Sequence, residues 1–175
     1  MNLFLIGYRC TGKSTVGKIL AQWLKRPFID TDKLITDEQG CTIDAIIKQR
    51  GWDFFRSIET DMIKRVCADD NQIVATGGGV VLAPQNVRLM QNNGTLIWLQ
   101  ALPETIRLRM TQDPLTATSR PALTSGTSSE EIEEILATRD SFYTKAMNFA
   151  VDTDHKRIDN ICTEIITWLC LEKRR

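Results

Sequence analysis

The sequence predicts an α/β fold, a parallel sheet wrapped by helices, on three observations. Short apolar runs alternate with helical patterns along the whole chain. The first apolar run passes directly through a glycine-containing loop into an amphipathic helix. No repeat at a fixed period and no low-complexity linker breaks the alternation, so one domain over residues 1–175 is expected.

Leu3 to Ile6 is a continuous apolar run, as expected of a strand buried on both faces. After Gly12, the residues Val16, Ile19, Leu20, Trp23 and Leu24 recur at helical spacing and predict one buried face. Pro27-Phe28-Ile29 begins a second strand, which carries Asp30 and Asp32 at its end. Thr42 caps a helix using Ile43, Ile46 and Ile47, and a further helix runs from Phe54 to Ala68. Ile73 to Thr76 is a third strand, ending in three glycines.

Pro84 opens the next helix, where its missing N–H costs nothing. Gly94 precedes a strand from Thr95 to Leu99, and Pro103 opens another helix. Thr111 to Ser129 is rich in Thr, Ser, Pro and Gly; a loop of that length inside a compact domain is usually functional or mobile. Glu130 to Met147 is a long amphipathic helix with acidic residues in its first turn, as the helix dipole favours. Phe149 to Val151 is the last strand. Ile158, Ile161, Cys162, Ile165 and Leu169 form a closing helix, finished by Lys173, Arg174 and Arg175.

Composition excludes several classes of function. Lysine and arginine balance aspartate and glutamate at 22 each, so no net field favours nucleic acid or an anionic membrane. The five cysteines (10, 41, 67, 162 and 170) are odd in number and contain no C-x-x-C pair, which suits a reducing compartment. No apolar run approaches bilayer length, and the N-terminal segment lacks a cationic leader. A cytoplasmic protein is expected, and nothing in the sequence asks for more than a monomer.

Gly7-Tyr8-Arg9-Cys10-Thr11-Gly12-Lys13-Ser14 matches G-x-x-x-x-G-K-[ST] between a strand and a helix, the context this motif requires. Successive backbone N–H groups of such a loop line one concavity, and the helix N-terminus adds positive charge. Lys13 is placed for β- and γ-phosphates, and the Ser14 hydroxyl for Mg²⁺. A nucleoside triphosphate site follows. A GTPase would carry N-K-x-D, which is absent, and the strand ending in Gly77-Gly78-Gly79 lacks the acidic residue usual in ATPase motors. Three glycines remove side-chain bulk and expose N–H groups to a ligand.

Asp30 and Asp32 fall where ligands lie in open α/β folds. Read as extended, residues two apart point the same way. Facing a γ-phosphate, two carboxylates are tolerable if one addresses Mg²⁺ and the other a substrate hydroxyl. In isolation Arg56 reads as a helix-surface partner of Glu59, and Arg139 as a solvated helix residue.

Together these residues resemble a known family. Gly7 to Thr15, Asp30-Thr31-Asp32, Phe55-Arg56 with Glu59, Gly77 to Gly79, Arg120-Pro121-Ala122-Leu123 and Arg139 follow the motifs of shikimate kinase in order and spacing. The resemblance covers about residues 2–151. It implies a nucleoside monophosphate kinase-like fold with a five-stranded parallel sheet in order 2-3-1-4-5. It implies a substrate-binding region at about 32–61, a mobile lid at about 111–128, and transfer of the ATP γ-phosphoryl to the 3-hydroxyl of shikimate, a step of aromatic amino acid biosynthesis.

Carried over by residue, the resemblance makes Cys10, Thr11, Gly12, Lys13, Ser14 and Thr15 the ATP loop, with Arg109 against adenine and Arg120 closing on the phosphates. Ser14 holds Mg²⁺ directly and Asp30 holds it through water. Asp32 orients the attacking hydroxyl or acts as base, Arg56 and Arg139 clamp the carboxylate, and Gly77, Gly78 and Gly79 offer backbone donors. Lys13, Asp32 and Arg120 form the catalytic set. Cys10 departs from the family's usual glycine, so a left-handed backbone there costs ~1 kcal/mol or more. The segment Thr153 to Arg157 takes no assignment, and His155 reads as an exposed turn residue.

Two other readings stay open on the residues alone. One is a gluconate or nucleoside monophosphate kinase of the same fold, since both arginines can serve phosphate as well as carboxylate. The other is a nucleotide-binding module without catalysis, which the presence of Lys13, Ser14, Asp30, Asp32 and Arg120 opposes.

Overall fold

A computed structural model of the chain describes residues 1–112 and 129–172. Five strands, β1 (Asn2–Ile6), β2 (Phe28–Asp30), β3 (Ile73–Ala75), β4 (Gly94–Gln100) and β5 (Phe149–Asp152), form one parallel sheet in the order β2-β3-β1-β4-β5. The expected fold class and strand order are both found. Helices α1 (Lys13–Leu24), α2 (Thr31–Gln39), α3 (Ile43–Val66), α4 (Pro84–Asn93), α5 (Pro103–Gln112), α6 (Ser129–Ala146) and α7 (Ile158–Glu172) surround it.

The central strand explains why its sequence is apolar without alternation. Leu3 and Leu5 pack into a core with Val16, Leu20, Ile161 and Ile165 from α1 and α7. Phe4 and Ile6 turn to the opposite face and meet Ile63, Met90 and Tyr143 from α3, α4 and α6. Consecutive side chains of a strand point to opposite faces, so a strand covered by helices on both sides must be apolar throughout.

Thr42 caps α3 through a hydrogen bond from the Ala45 amide at 3.2 Å, and Pro84 stands at the first turn of α4. The two helices expected after Thr42 are both found, α3 being two helical segments that meet at a kink at Gly51, whose φ of 83° leaves the helical region. Trp23 does not share the buried face of α1; it is 47% exposed, because the core side is already filled by Val16, Leu20 and Ala21. Thr111 and Gln112, expected to begin the irregular loop, continue α5. The rest of the expected lid, with Arg120, lies outside the described residues, as do Lys173, Arg174 and Arg175.

One local expectation is corrected at the second strand. β2 ends at Asp30 and α2 starts at Thr31, so Asp30 and Asp32 do not lie on a common extended segment. Asp30 is the N-cap instead, accepting from the Lys33 amide at 3.2 Å, and Asp32 sits in the first helical turn. A capping aspartate ends the extended run because its carboxylate satisfies an amide that the helix leaves without a partner. The short turn Val80–Leu82 after the glycines, a 3₁₀ helix, was likewise unexpected.

Candidate active site

The loop between β1 and α1 carries the left-handed residues that a phosphate cradle needs. Gly12 has φ 96° and Cys10 has φ 60°, so the strained backbone expected at Cys10 is present. The Lys13 ammonium is buried and donates to the carbonyl oxygens of Gly7 at 2.8 Å and Tyr8 at 2.6 Å. Its charge is thereby held over the loop. Thr11 closes the turn from within, its hydroxyl donating to the Tyr8 carbonyl at 2.8 Å.

Beside this loop, Cys10, Thr11, Gly12, Thr15 and Arg109 line a cavity of about 350 Å³ together with Thr153, Lys156 and Ile158. Arg109 ties its walls together. Its guanidinium donates to the Cys10 carbonyl at 3.3 Å, the Thr153 hydroxyl at 3.1 Å and the Thr153 carbonyl at 2.9 Å. The segment that took no assignment from sequence therefore faces the loop's outer end. Its signal was weak because Thr153 works by folding back on β4, its amide and hydroxyl both donating to Gln100. His155 is exposed, as expected.

Ser14 and Asp30 meet at 2.6 Å, the hydroxyl donating to the carboxylate. This pair joins the first turn of α1 to the end of β2. Among the described residues no group of three His, Cys, Asp or Glu side chains is gathered for a metal. One hydroxyl and one carboxylate, both hard oxygen donors, fit Mg²⁺, which usually takes few protein ligands and keeps water and phosphate for the rest.

A second hollow is lined by Arg9, Lys13, Asp32, Arg56, Gly77, Gly78, Gly79 and Arg139, together with the apolar side chains of Ile43, Trp52 and Phe55. The expected substrate residues are thus brought together. Four cationic side chains face two carboxylates, Asp32 and Glu59, so the hollow favours an anion. Close approach explains the glycines. A Cβ at Gly77 would stand 2.7 Å from Asp32 Oδ1 and 2.8 Å from Glu59 Oε1, and one at Gly79 would stand 2.7 Å from Arg56 Nη1.

Arg56 is no surface residue. Its guanidinium donates to Glu59 Oε2 at 2.6 Å, and the Glu59 side chain is only 1% exposed. Burial pushes the Glu59 carboxyl above its ordinary range, against the pull of Arg56. The pair sits at helical spacing, and i,i+3 pairing alone could not say that it points inward. Arg139 reaches the hollow from α6, its Nη1 lying 3.4 Å from the Gly78 carbonyl. Arg9, Tyr8 and Trp52 were not singled out from sequence; loop and helix position carry no signal of which way they face.

The chain matches the family model described as shikimate kinase over residues 9–170. It belongs to the shikimate kinase family. Shikimate kinase 2 of Photorhabdus laumondii is 39% identical over 93% of this chain and 92% of its own. Among solved structures, the shikimate kinase of Acinetobacter baumannii in complex with shikimate superposes with a TM-score of 0.92 at 26% identity, covering 99% of this chain and 95% of that one. The shikimate kinase of Bacteroides thetaiotaomicron gives 0.87 at 28% identity, with 97% and 98% covered. Among the described residues no helix is long and apolar enough to cross a membrane.

Proposed function

We propose that this kinase transfers the γ-phosphoryl group of ATP to the 3-hydroxyl of shikimate, giving shikimate 3-phosphate and ADP within aromatic amino acid biosynthesis. One observation carries the reading: Asp32 and Lys13 line the same hollow as Arg56, Arg139 and the three glycines. A hydroxylated monocarboxylate finds there a guanidinium pair for its acid, backbone donors for its ring hydroxyls and a carboxylate at the phosphoryl side. The apolar side chains of Ile43, Trp52 and Phe55 suit a carbocycle. Membership of the family, and the shikimate bound by the relative from Acinetobacter baumannii, support this choice over gluconate or a nucleoside monophosphate.

The residues divide the work as phosphoryl transfer requires, chiefly by positioning and by cations around developing charge. The loop from Cys10 to Thr15 holds the phosphates on backbone N–H groups, and Lys13 neutralises charge on the transferring group. Ser14 and Asp30 would hold Mg²⁺, and the ion, when bound, would offset charge on the phosphates. Asp32 accepts the hydrogen bond of the attacking hydroxyl and aims it. Arg56 and Arg139 grip the carboxylate, for which the planar guanidinium fork is suited. Arg109 shapes the base end of the nucleotide cavity, and Arg120, outside the described residues, is assigned to the phosphates by the family resemblance alone.

None of the five cysteines is in a disulfide, which supports a reducing cytoplasm as the working compartment; we take the chain to act as a monomer. A coupled ADP-release assay with shikimate, gluconate and the nucleoside monophosphates tests the reading. Turnover with shikimate and background rates with the others are expected. No turnover with shikimate would overturn it.

A further inference from the structure

We propose that Tyr143 is a positioning residue for the acceptor hollow: its phenol holds the Gly78 carbonyl and thereby aims the Gly79 amide N–H at the substrate. The inference deepens the proposed function and rests on it.

The three glycine carbonyls are each engaged. That of Gly77 accepts from the Val80 amide at 3.2 Å, and that of Gly79 accepts from the Leu82 amide at 3.0 Å, both within the short turn that follows. Gly78 is different. Its carbonyl is held from outside, by the Tyr143 hydroxyl at 2.5 Å, with Arg139 Nη1 at 3.4 Å on the same oxygen. Tyr143 and Arg139 are four residues apart on α6, so one helix face delivers both groups.

Peptide planarity converts this contact into an effect on the substrate side. In a trans peptide the carbonyl and the following N–H point in opposite directions, so anchoring Gly78 C=O against α6 sends the Gly79 N–H the other way. Gly78 and Gly79 both line the hollow. Without side chains, two successive glycines have more backbone wells than any other pair, and the hollow cannot choose among them unaided. An external anchor is therefore needed.

Packing alone does not ask for a tyrosine here. The ring is fully buried and stacked on Trp98, with centroids 5.3 Å apart and planes 18° apart, a contact phenylalanine would make equally well. A buried hydroxyl is a liability unless bonded, and this one spends its proton on Gly78. Burial pushes its pKa up, so the phenol remains a donor throughout the working pH range.

Tyr143→Phe removes the oxygen and keeps the stack. The expected result is a shikimate KM raised about tenfold, the size of one well-placed hydrogen bond, with the ATP KM within about twofold of wild type. A purely structural loss would instead lower kcat through the active fraction and leave both KM values alone. A shikimate KM within about twofold of wild type, in a variant that folds, would overturn the proposal. Absence of shikimate turnover in the wild type would sink the proposed function itself and this role with it, whereas a normal wild type with an unaltered variant sinks only the role of Tyr143.

Should Tyr143→Phe fail to fold, 3-fluorotyrosine supplies the second readout, because the chain has only two tyrosines. The ¹⁹F resonance of Tyr143, assigned by loss of the other signal in Tyr8→Phe, moves when shikimate saturates the protein. A resonance that stays in place overturns the proposal.

Discussion

The Ser14 hydroxyl donates to the Asp30 carboxylate at 2.6 Å, while the second oxygen of that carboxylate caps α2 through the Lys33 amide. One side chain thus ties the first turn of α1, where we propose Mg²⁺ to bind, to the helix that carries Asp32. Asparagine caps a helix as well as aspartate but carries no charge. Asp30→Asn is therefore expected to keep its thermal midpoint while the Mg²⁺ needed for half-maximal rate rises roughly tenfold or more. Asp30→Ala loses the cap too and costs about 1 kcal/mol of stability. Rate against free Mg²⁺, with a melting curve for each variant, checks both halves.

Asp32 stands in the first turn of α2, next to Gly77, and lines the same hollow as Lys13. Asp32→Asn keeps its size and abolishes its capacity to accept a proton. We expect kcat to fall about 10²–10⁴-fold, the usual worth of a positioned acid or base, with nucleotide affinity nearly unchanged. Single-turnover rates and a nucleotide titration separate the two. Unchanged turnover would remove Asp32 from its role.

Arg139→Ala is expected to raise the shikimate KM roughly 10- to 100-fold, because a hydrogen bond to a charged group contributes about 1.5–3 kcal/mol. Steady-state kinetics with shikimate varied at saturating ATP checks this. A normal KM would count against the carboxylate clamp.

What could be read from sequence was whatever a local rule decides. The loop from Gly7 to Ser14 is legible because phosphate binding needs glycine, lysine and hydroxyl at fixed offsets, and Thr42 and Pro84 are legible because helix starts are local. Helix α2 is not legible because its first residues, Thr31 and Asp32, read as the tail of a strand. Glu59 looked like half of a surface pair, since the sequence cannot say which side of α3 faces the sheet. Tyr143 carries no motif that the residues alone could justify; its partner, the Gly78 carbonyl, is 65 positions away and is backbone.

Cys10 takes a φ of 60°, where a side chain costs ~1–2 kcal/mol relative to glycine. Cys10→Gly should recover part of that, offset by the greater freedom of an unfolded glycine, for a net gain of at most about 1 kcal/mol. Denaturant unfolding measures it. The loop's amide donors are backbone, so ATP KM should hold within a few-fold. A loss of stability would mean that the thiol makes contacts outweighing the strain.

Glu59 makes the stability of the protein depend on pH in a direction opposite to most carboxylates. Its carboxyl is pushed above its ordinary value of 4.5, first by burial; Arg56 and Arg139 pull it down and Asp32 pushes it further up. The folded state therefore holds a proton that the unfolded state has already released. Stability from this group is complete below 4.5 and is lost as pH climbs through the raised value. Glu59→Gln has no proton to lose and can still accept from Arg56. Unfolding by urea at a series of pH values should show wild-type stability declining as pH rises above 4.5, and a flatter profile in Glu59→Gln. Parallel profiles for the two proteins would mean that Arg56 holds the carboxylate ionised, and that the ion pair outweighs burial.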